Sequence, residues 1–193
     1  MEWEEAVMNA VKKSLSGEGG HDYDHTLRVY NLCLKLGELE GADIEVLKAA
    51  SLLHDIARPL EETSGVSHSI KGAEIAGNIL KQTDFPETKI EKVCGVIRKH
   101  RFSEGVEARE IEAQILQDAD RLDASGAIGI ARAFMFGGGN GRSLKESVKH
   151  FHDKLLQLKD EMHTTSAYNI SVQRHEFMEK FLDRLQKEIE GEA

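Results

Sequence analysis

Apolar residues recur at three- and four-residue spacing along almost every stretch of this chain, and that period commits it to helices packed on helices. Trp3, Ala6, Val7, Ala10 and Val11 form one stripe ahead of the break at "SGEGG". From about Asp22 to Leu39, the residues Val29, Leu32, Cys33 and Leu36 share a face. "ADIEVLKAASLLHDIA" follows, with Asp43 placed to cap its start and Pro59 to end it. In "SHSIKGAEIAGNIL" a cap at Ser67 or Ser69 precedes Ile70, Ala73, Ala76, Ile79 and Leu80 along one side. Pro86 suits the first turn of the next helix, which carries Ile90, Val93, Cys94 and Ile97. Helices over roughly 107–123, through "SGAIGIARAFMF", and over about 143–161 and 167–190 complete the pattern, with the Gly-rich run 137–141 as the clearest loop. No period-2 run, hairpin dipeptide or internal repeat competes with it. The expectation is an all-α, single-domain fold over residues 1–193.

Composition narrows the partners. The 193 residues suffice for one well-buried domain, and 40% hydrophobic with 31% charged residues is an ordinary globular balance. A formal net charge of −9 argues against a nucleic-acid polymer as partner, because phosphate backbones are gripped by basic surfaces. A small anion remains compatible where a metal or a few Arg and Lys residues reverse the sign inside a pocket. "MEWEEAVMNAVKKSL" has neither the basic start nor the apolar run of a secretory signal, and no stretch approaches the ~18 apolar residues of a membrane span. Cys33 and Cys94 sit in apolar helical patterns without CxxC spacing and read as reduced core residues, which makes cytoplasm the expected compartment.

Chemistry collects in three places. His21 and His25, four apart, share one helix face at the head of "HDYDHTLRVYNLCLKLG", as a metal site or a polar helix start both require. "SLLHDIARP" places His54 and Asp55 at the end of an apolar helix, where a buried carboxylate needs a partner. "LQDADRLDASG" offers Asp118, Asp120 and Asp123, either a solvated face neutralised by Arg121 or a contribution to a site. Imidazole and carboxylate from three separate helices can build a mixed N/O coordination shell with positions left for water. The set His25, His54, Asp55 and Asp120 has that composition.

This ordered H…HD…D set resembles the HD-domain superfamily of metal-dependent phosphohydrolases. "GHDYDHTLRVYNLCLKLG", "LLHDIARP", "SHSIKGAEIAGNIL", "ILQDADRLDASGAIGIARAF", "HFHDKLLQLKDEMHTTSA" and "RHEFMEKFL" are similar to its small bacterial and archaeal branch with YedJ- and YpgQ-type members, over about residues 20–185. The resemblance implies a helical fold in which His25, His54, Asp55 and Asp120 bind one divalent ion (Mn²⁺, Mg²⁺, Co²⁺ or Fe²⁺) and hydrolyse a phosphorylated small molecule, with nucleotides as the usual substrate class. His21 is then a pocket-wall residue or the ligand of a further ion.

Several relatives carry a glutamate three residues after the HD aspartate, to orient or deprotonate water; here that residue is Arg58. Arg28, Arg58 and Lys71 become candidate phosphate contacts. Asp55 and Asp123 are the candidate catalytic carboxylates, Asp123 chiefly as a supporting partner. His68 and His100 stand where two-metal members place extra ligands, and are expected either to contact phosphate or a second ion or to serve as polar residues capping their helices. With Asp55 alone available as a bridge, one tightly bound ion is expected. A two-metal phosphodiesterase and a nucleotide-binding regulatory module without turnover are the alternatives; a helical scaffold with vestigial ligands is disfavoured by the intact set. His150, His152, His163 and His175 read as structural or surface residues.

Overall fold

In the computed structural model, which describes residues 2–15, 22–101, 105 and 107–192, the helical period is realised throughout. The elements among those residues are α1 (Trp3–Ser14), α2 (Tyr23–Glu40), α3 (Ile44–Leu53), α4 (Arg58–Ser64), α5 (His68–Leu80) and α6 (Glu87–Lys99). They continue with α7 (Ile111–Asp123), α8 (Gly126–Gly139), α9 (Leu144–Asp153), a 3-10 segment (Leu155–Glu161) and α10 (Thr165–Glu190). Among the described residues there is no strand, and no helix is long and apolar enough to cross a membrane. The chain divides into two compact units, Met1–Ala119 and Asp120–Ala193.

In the first unit α3 packs against α1, α2, α5 and α6. Contact on several sides explains why Val46, Leu47, Ala49, Ala50, Ser51, Leu52 and Leu53 are all buried, where a surface helix would bury one stripe. The hydroxyl of Ser51 is satisfied inside this core by the Leu47 carbonyl at 2.7 Å. Asp43 caps α3 as expected, accepting from the Glu45 and Val46 amides. Lys89 reaches the same Asp43 carboxylate at 2.9 Å. The buried Glu112 carboxylate accepts from the Asp43 amide at 3.0 Å and from Lys92 at 2.9 Å, so the start of α3 is fastened to α6 and α7. Cys33 and Cys94 are free and buried, and Cys94 Sγ donates to the Ala73 carbonyl.

One boundary and one face of the first unit depart from the sequence reading. Pro59 does not end α3; the helix stops at Leu53, residues 54–57 form a tight turn, and Pro59 lies in the first turn of α4. Ile56 N to Leu53 O (3.2 Å) and Arg58 N to Asp55 O (2.9 Å) close the turn, and Ser14 of α1 donates to the Ile56 carbonyl at 3.0 Å. Proline costs nothing in a first helical turn, where its missing N–H has no intrahelical partner to lose. On α5, Ile70 is 60% exposed, and the buried face is instead His68, Ser69, Gly72, Ala73, Ala76, Gly77 and Leu80. Close approach selects that small face: a Cβ at Gly72 would lie 3.4 Å from the His54 carbonyl oxygen. Ser67 is the α5 cap, accepting from the Ile70 amide.

The second unit is built on Phe151, Leu155, Leu158, Met178 and Leu182, with Phe134, Val148 and Phe181 packed around them. The expected loop at 137–141 is shorter than anticipated, because α8 continues through Gly139. A Cβ at Gly137 would stand 2.5 Å from Ser147 Oγ, so glycine there admits α9 against α8 without breaking the helix. Ser143 and Glu146 form a capping box at the start of α9. The helix anticipated over 143–161 ends at Asp153 and passes into the 3-10 segment.

Phe151 is fully buried at the centre of this cluster and stacks with Phe134 at a centroid distance of 5.7 Å. Phe151→Ala is expected to cost about 3–5 kcal/mol of stability, read as a lower urea midpoint with the slope unchanged.

Candidate metal centre

Five candidate site residues of the first unit arrive at helix termini, where side chains project past the last turn. Asp22 caps α2 by accepting from the His25 amide at 2.8 Å, which places His25 in the first turn. His54 follows α3 directly, and Asp55 lies in the turn held by Ser14 and by Arg58 N. His68 is the first residue of α5, and His100 follows the last residue of α6. All five are buried, Asp55 to 1% exposure.

Their side chains converge on the Asp55 carboxylate. Its Oδ2 lies 3.7 Å from His25 Nε2 and 3.6 Å from His54 Nε2. Its Oδ1 faces the other way, 3.3 Å from His68 Nε2 and 3.6 Å from His100 Nε2. The ligating atoms fall into two groups, His25, His54 and Asp120, and Asp55, His68 and His100, and within each group they lie within 4.8 Å of one another. Asp120 stands one residue beyond Ala119, where the first unit ends, but on the same continuous helix α7.

The ring nitrogens facing away from the carboxylate fix what those facing it can do. His54 Nδ1 is 2.7 Å from the Ser51 carbonyl and His100 Nδ1 is 2.6 Å from the Ile97 carbonyl. A carbonyl only accepts, so each Nδ1 carries its proton and each neutral ring presents a lone pair at Nε2. His68 Nδ1 is likewise 2.6 Å from Glu61 Oε2. Burial, with the Arg58 charge nearby, holds the His68 imidazole below its usual pKa and keeps it neutral. His68 Nε2 and His100 Nε2 stand 3.1 Å apart beside a carboxylate oxygen, and as neutral rings they bring two lone pairs there, an arrangement that a cation satisfies. Donors bound at about 2.0–2.2 Å to one ion stand roughly 3.0–3.5 Å apart, a range that holds the His68–His100 and His68–Asp55 separations of 3.1 and 3.3 Å, so the chemistry and spacing of this donor set fit a divalent metal.

Arg58 sits on the rim. Its Nε donates to Asp55 Oδ1 at 3.2 Å, and its Nη1 is 3.9 Å from Glu61 Oε2, with a quarter of the side chain exposed. Glu61 also accepts from Arg101 through Oε1. Glu61 and Arg101 were not among the expected site residues. Counted from Asp55 as one helix, Glu61 falls out of register, but the register restarts at α4, and there Glu61 is the i+3 neighbour of Arg58.

The remaining expected residues are placed as follows. Arg28 is half-buried on α2, one turn after His25. Lys71 is paired with Glu74 at 2.7 Å on α5. Asp123 accepts from Arg132 through Oδ2 at 2.6 Å, and among the described residues neither ligand group includes it. His150, His152, His163 and His175 are likewise in neither group. His21 lies outside the described residues.

Comparison with known proteins agrees with this geometry. The HD domain family matches residues 22–125, the stretch that carries both ligand groups. The chain is 38% identical to the protein YpgQ of Bacillus subtilis, over 97% of its own length and 94% of the relative's. The crystal structure of Bacillus subtilis YpgQ in complex with ADP superposes with a TM-score of 0.81 at 35% identity, covering 96% of this chain and 94% of that one. An HD-superfamily hydrolase from Bacillus thuringiensis superposes with a TM-score of 0.78 at 35% identity, covering 97% and 96%. The chain belongs to the HD-domain family, and its solved relatives include HD-superfamily hydrolases.

Proposed function

We propose that this chain is a divalent-metal-dependent phosphohydrolase acting on a phosphorylated small molecule, a nucleotide by class, and that its site takes two ions sharing Asp55. The observation that carries the reading is the divided Asp55 carboxylate, one oxygen toward His25 and His54 and the other toward His68 and His100. That division favours two ions over the single ion expected from sequence, with Asp120 completing the first group. Two imidazoles in each group favour Mn²⁺, Co²⁺ or Fe²⁺ over Mg²⁺, which prefers oxygen and keeps its water. The complex of the relative YpgQ with ADP supports a nucleotide.

When bound, such ions polarise a phosphoryl oxygen and make water a nucleophile near neutral pH. The chain itself holds the lone pairs of His54, His68 and His100 in place through their Nδ1 hydrogen bonds. Arg58 neutralises part of the Asp55 charge, and its exposed portion meets an incoming phosphate, with Arg28 as a second contact. Asp123, bonded to Arg132, serves as a support for the end of α7. Lys71, paired with Glu74, is the weakest of the proposed phosphate contacts.

Phosphate and pyrophosphate release is the direct test, screened over nucleoside mono-, di- and triphosphates and bis(p-nitrophenyl) phosphate with Mn²⁺, Mg²⁺ and Co²⁺. Cleavage of the diester alone identifies a phosphodiesterase; nucleotide binding without release identifies a regulatory module.

Asp55→Asn is expected to lower metal content from about two ions per chain to none and to abolish turnover. Circular dichroism should show the helix content retained; full occupancy by elemental analysis would refute the shared ligand. Arg58→Ala is expected to raise KM and lower kcat/KM by about one to two orders of magnitude, the loss of a charge-assisted contact worth roughly 1.5–3 kcal/mol. Unchanged steady-state kinetics in that variant would remove Arg58 from the site.

A further inference from the structure

His54, His68 and His100 are not held alike through Nδ1. His54 and His100 lean on neutral backbone carbonyls, whereas His68 leans on a carboxylate, Glu61 Oε2, at 2.6 Å. Glu61 sits on a short helix between two arginines: Arg101 bonds its other oxygen, and Arg58 Nη1 approaches at 3.9 Å. We infer that Glu61 is the positioning residue of the Asp55–His68–His100 group, fixing the orientation of His68 and its Nδ1–H tautomer.

The inference rests on the two-ion reading of the site and adds to it the cause of any difference between the groups. A hydrogen bond from a ring N–H to a carboxylate pushes electron density toward the opposite nitrogen and fixes the ring's orientation. His68 Nε2 is the atom so enriched, and it is also the imidazole nitrogen nearest to Asp55 Oδ1, at 3.3 Å. Arg101 bonds the other oxygen of Glu61, so the carboxylate is held from both sides with Oε2 aimed at His68 Nδ1. Arg58 belongs to both carboxylates and keeps Glu61 and Asp55 from repelling one another across the rim.

Glu61→Gln and Glu61→Ala separate orientation from charge. The glutamine amide oxygen still accepts from Nδ1 but carries no charge; alanine removes both. Two readouts besides activity apply to the full chain. In the metal-free protein, long-range ¹⁵N–¹H spectra of the His68 ring report the tautomer. In Mn²⁺ titrations, binding to each group is followed separately, with His100→Ala identifying the Asp55–His68–His100 step. The expected result is a fixed Nδ1–H tautomer in wild type and in Glu61→Gln, and a mixture in Glu61→Ala. Mn²⁺ affinity of that one step falls by about 10–100-fold in Glu61→Ala and by less in Glu61→Gln, with the other step unchanged. Wild-type affinity and an unaltered tautomer in Glu61→Ala overturn the inference. A wild-type chain that takes one ion overturns the two-ion reading instead; the inference then stands or falls on the His68 tautomer alone.

Discussion

A carboxylate shut away from water must be matched by positive charge or hydrogen bonds, and Asp55 sets that demand for the whole first unit. Arg58 answers part of it with a hydrogen bond from Nε at 3.2 Å, and the ends of four helices bring the imidazoles that would share an ion with the carboxylate. The turn after α3 presents Asp55 itself, and α2, α5 and α6 each deliver an imidazole to one of its two oxygens. Helix ends suit this work, since a side chain there leaves the cylinder without crossing a packed face. The surrounding core then has a definite purpose, which is to keep four termini within a few ångströms against the repulsion of their lone pairs.

Much of this was legible in the sequence, because periodicity reports faces and caps report starts. Asp43 and Ser67 cap the helices assigned to them, and the ordered set from His25 to Asp55 is found together. The errors share one physical origin, which is that local rules are silent about what packs opposite. Pro59 reads as a stop, but the backbone had already turned at residues 54–57, with Ser14 bonded to that turn from 42 residues away. Ile70 reads as core, yet α5 buries its glycines and alanines because that face alone permits close approach to the His54 backbone. The run at 137–139 reads as loop, but α8 runs on to Gly139, and close approach to Ser147 gives Gly137 a use within the helix.

The site divides in the same way. Residues that would hold an ion are chemically distinctive and were recognisable as histidines and aspartates in order. Residues that support them are ordinary charges whose meaning depends on distance. Glu61 lies seven residues before the histidine it holds and 40 before Arg101, and no periodic rule joins the three. Asp123 shows the converse: a spacing of three from Asp120 suggested shared work, whereas its buried carboxylate is engaged by Arg132.

The fastening of α3 at Asp43 has a consequence for how such a chain tolerates change. The polar network of Asp43, Lys89, Lys92 and Glu112 grips the start of the helix, and the candidate ligands His54 and Asp55 follow its finish, about 15 Å away along ten residues. One rod thus has an anchorage at one tip and an instrument at the other. Substitutions that strengthen or weaken the anchorage can accumulate under selection for temperature or turnover in the cell while the instrument keeps its calibration. A lineage adapting this scaffold to a new substrate is free to alter one tip without renegotiating the other.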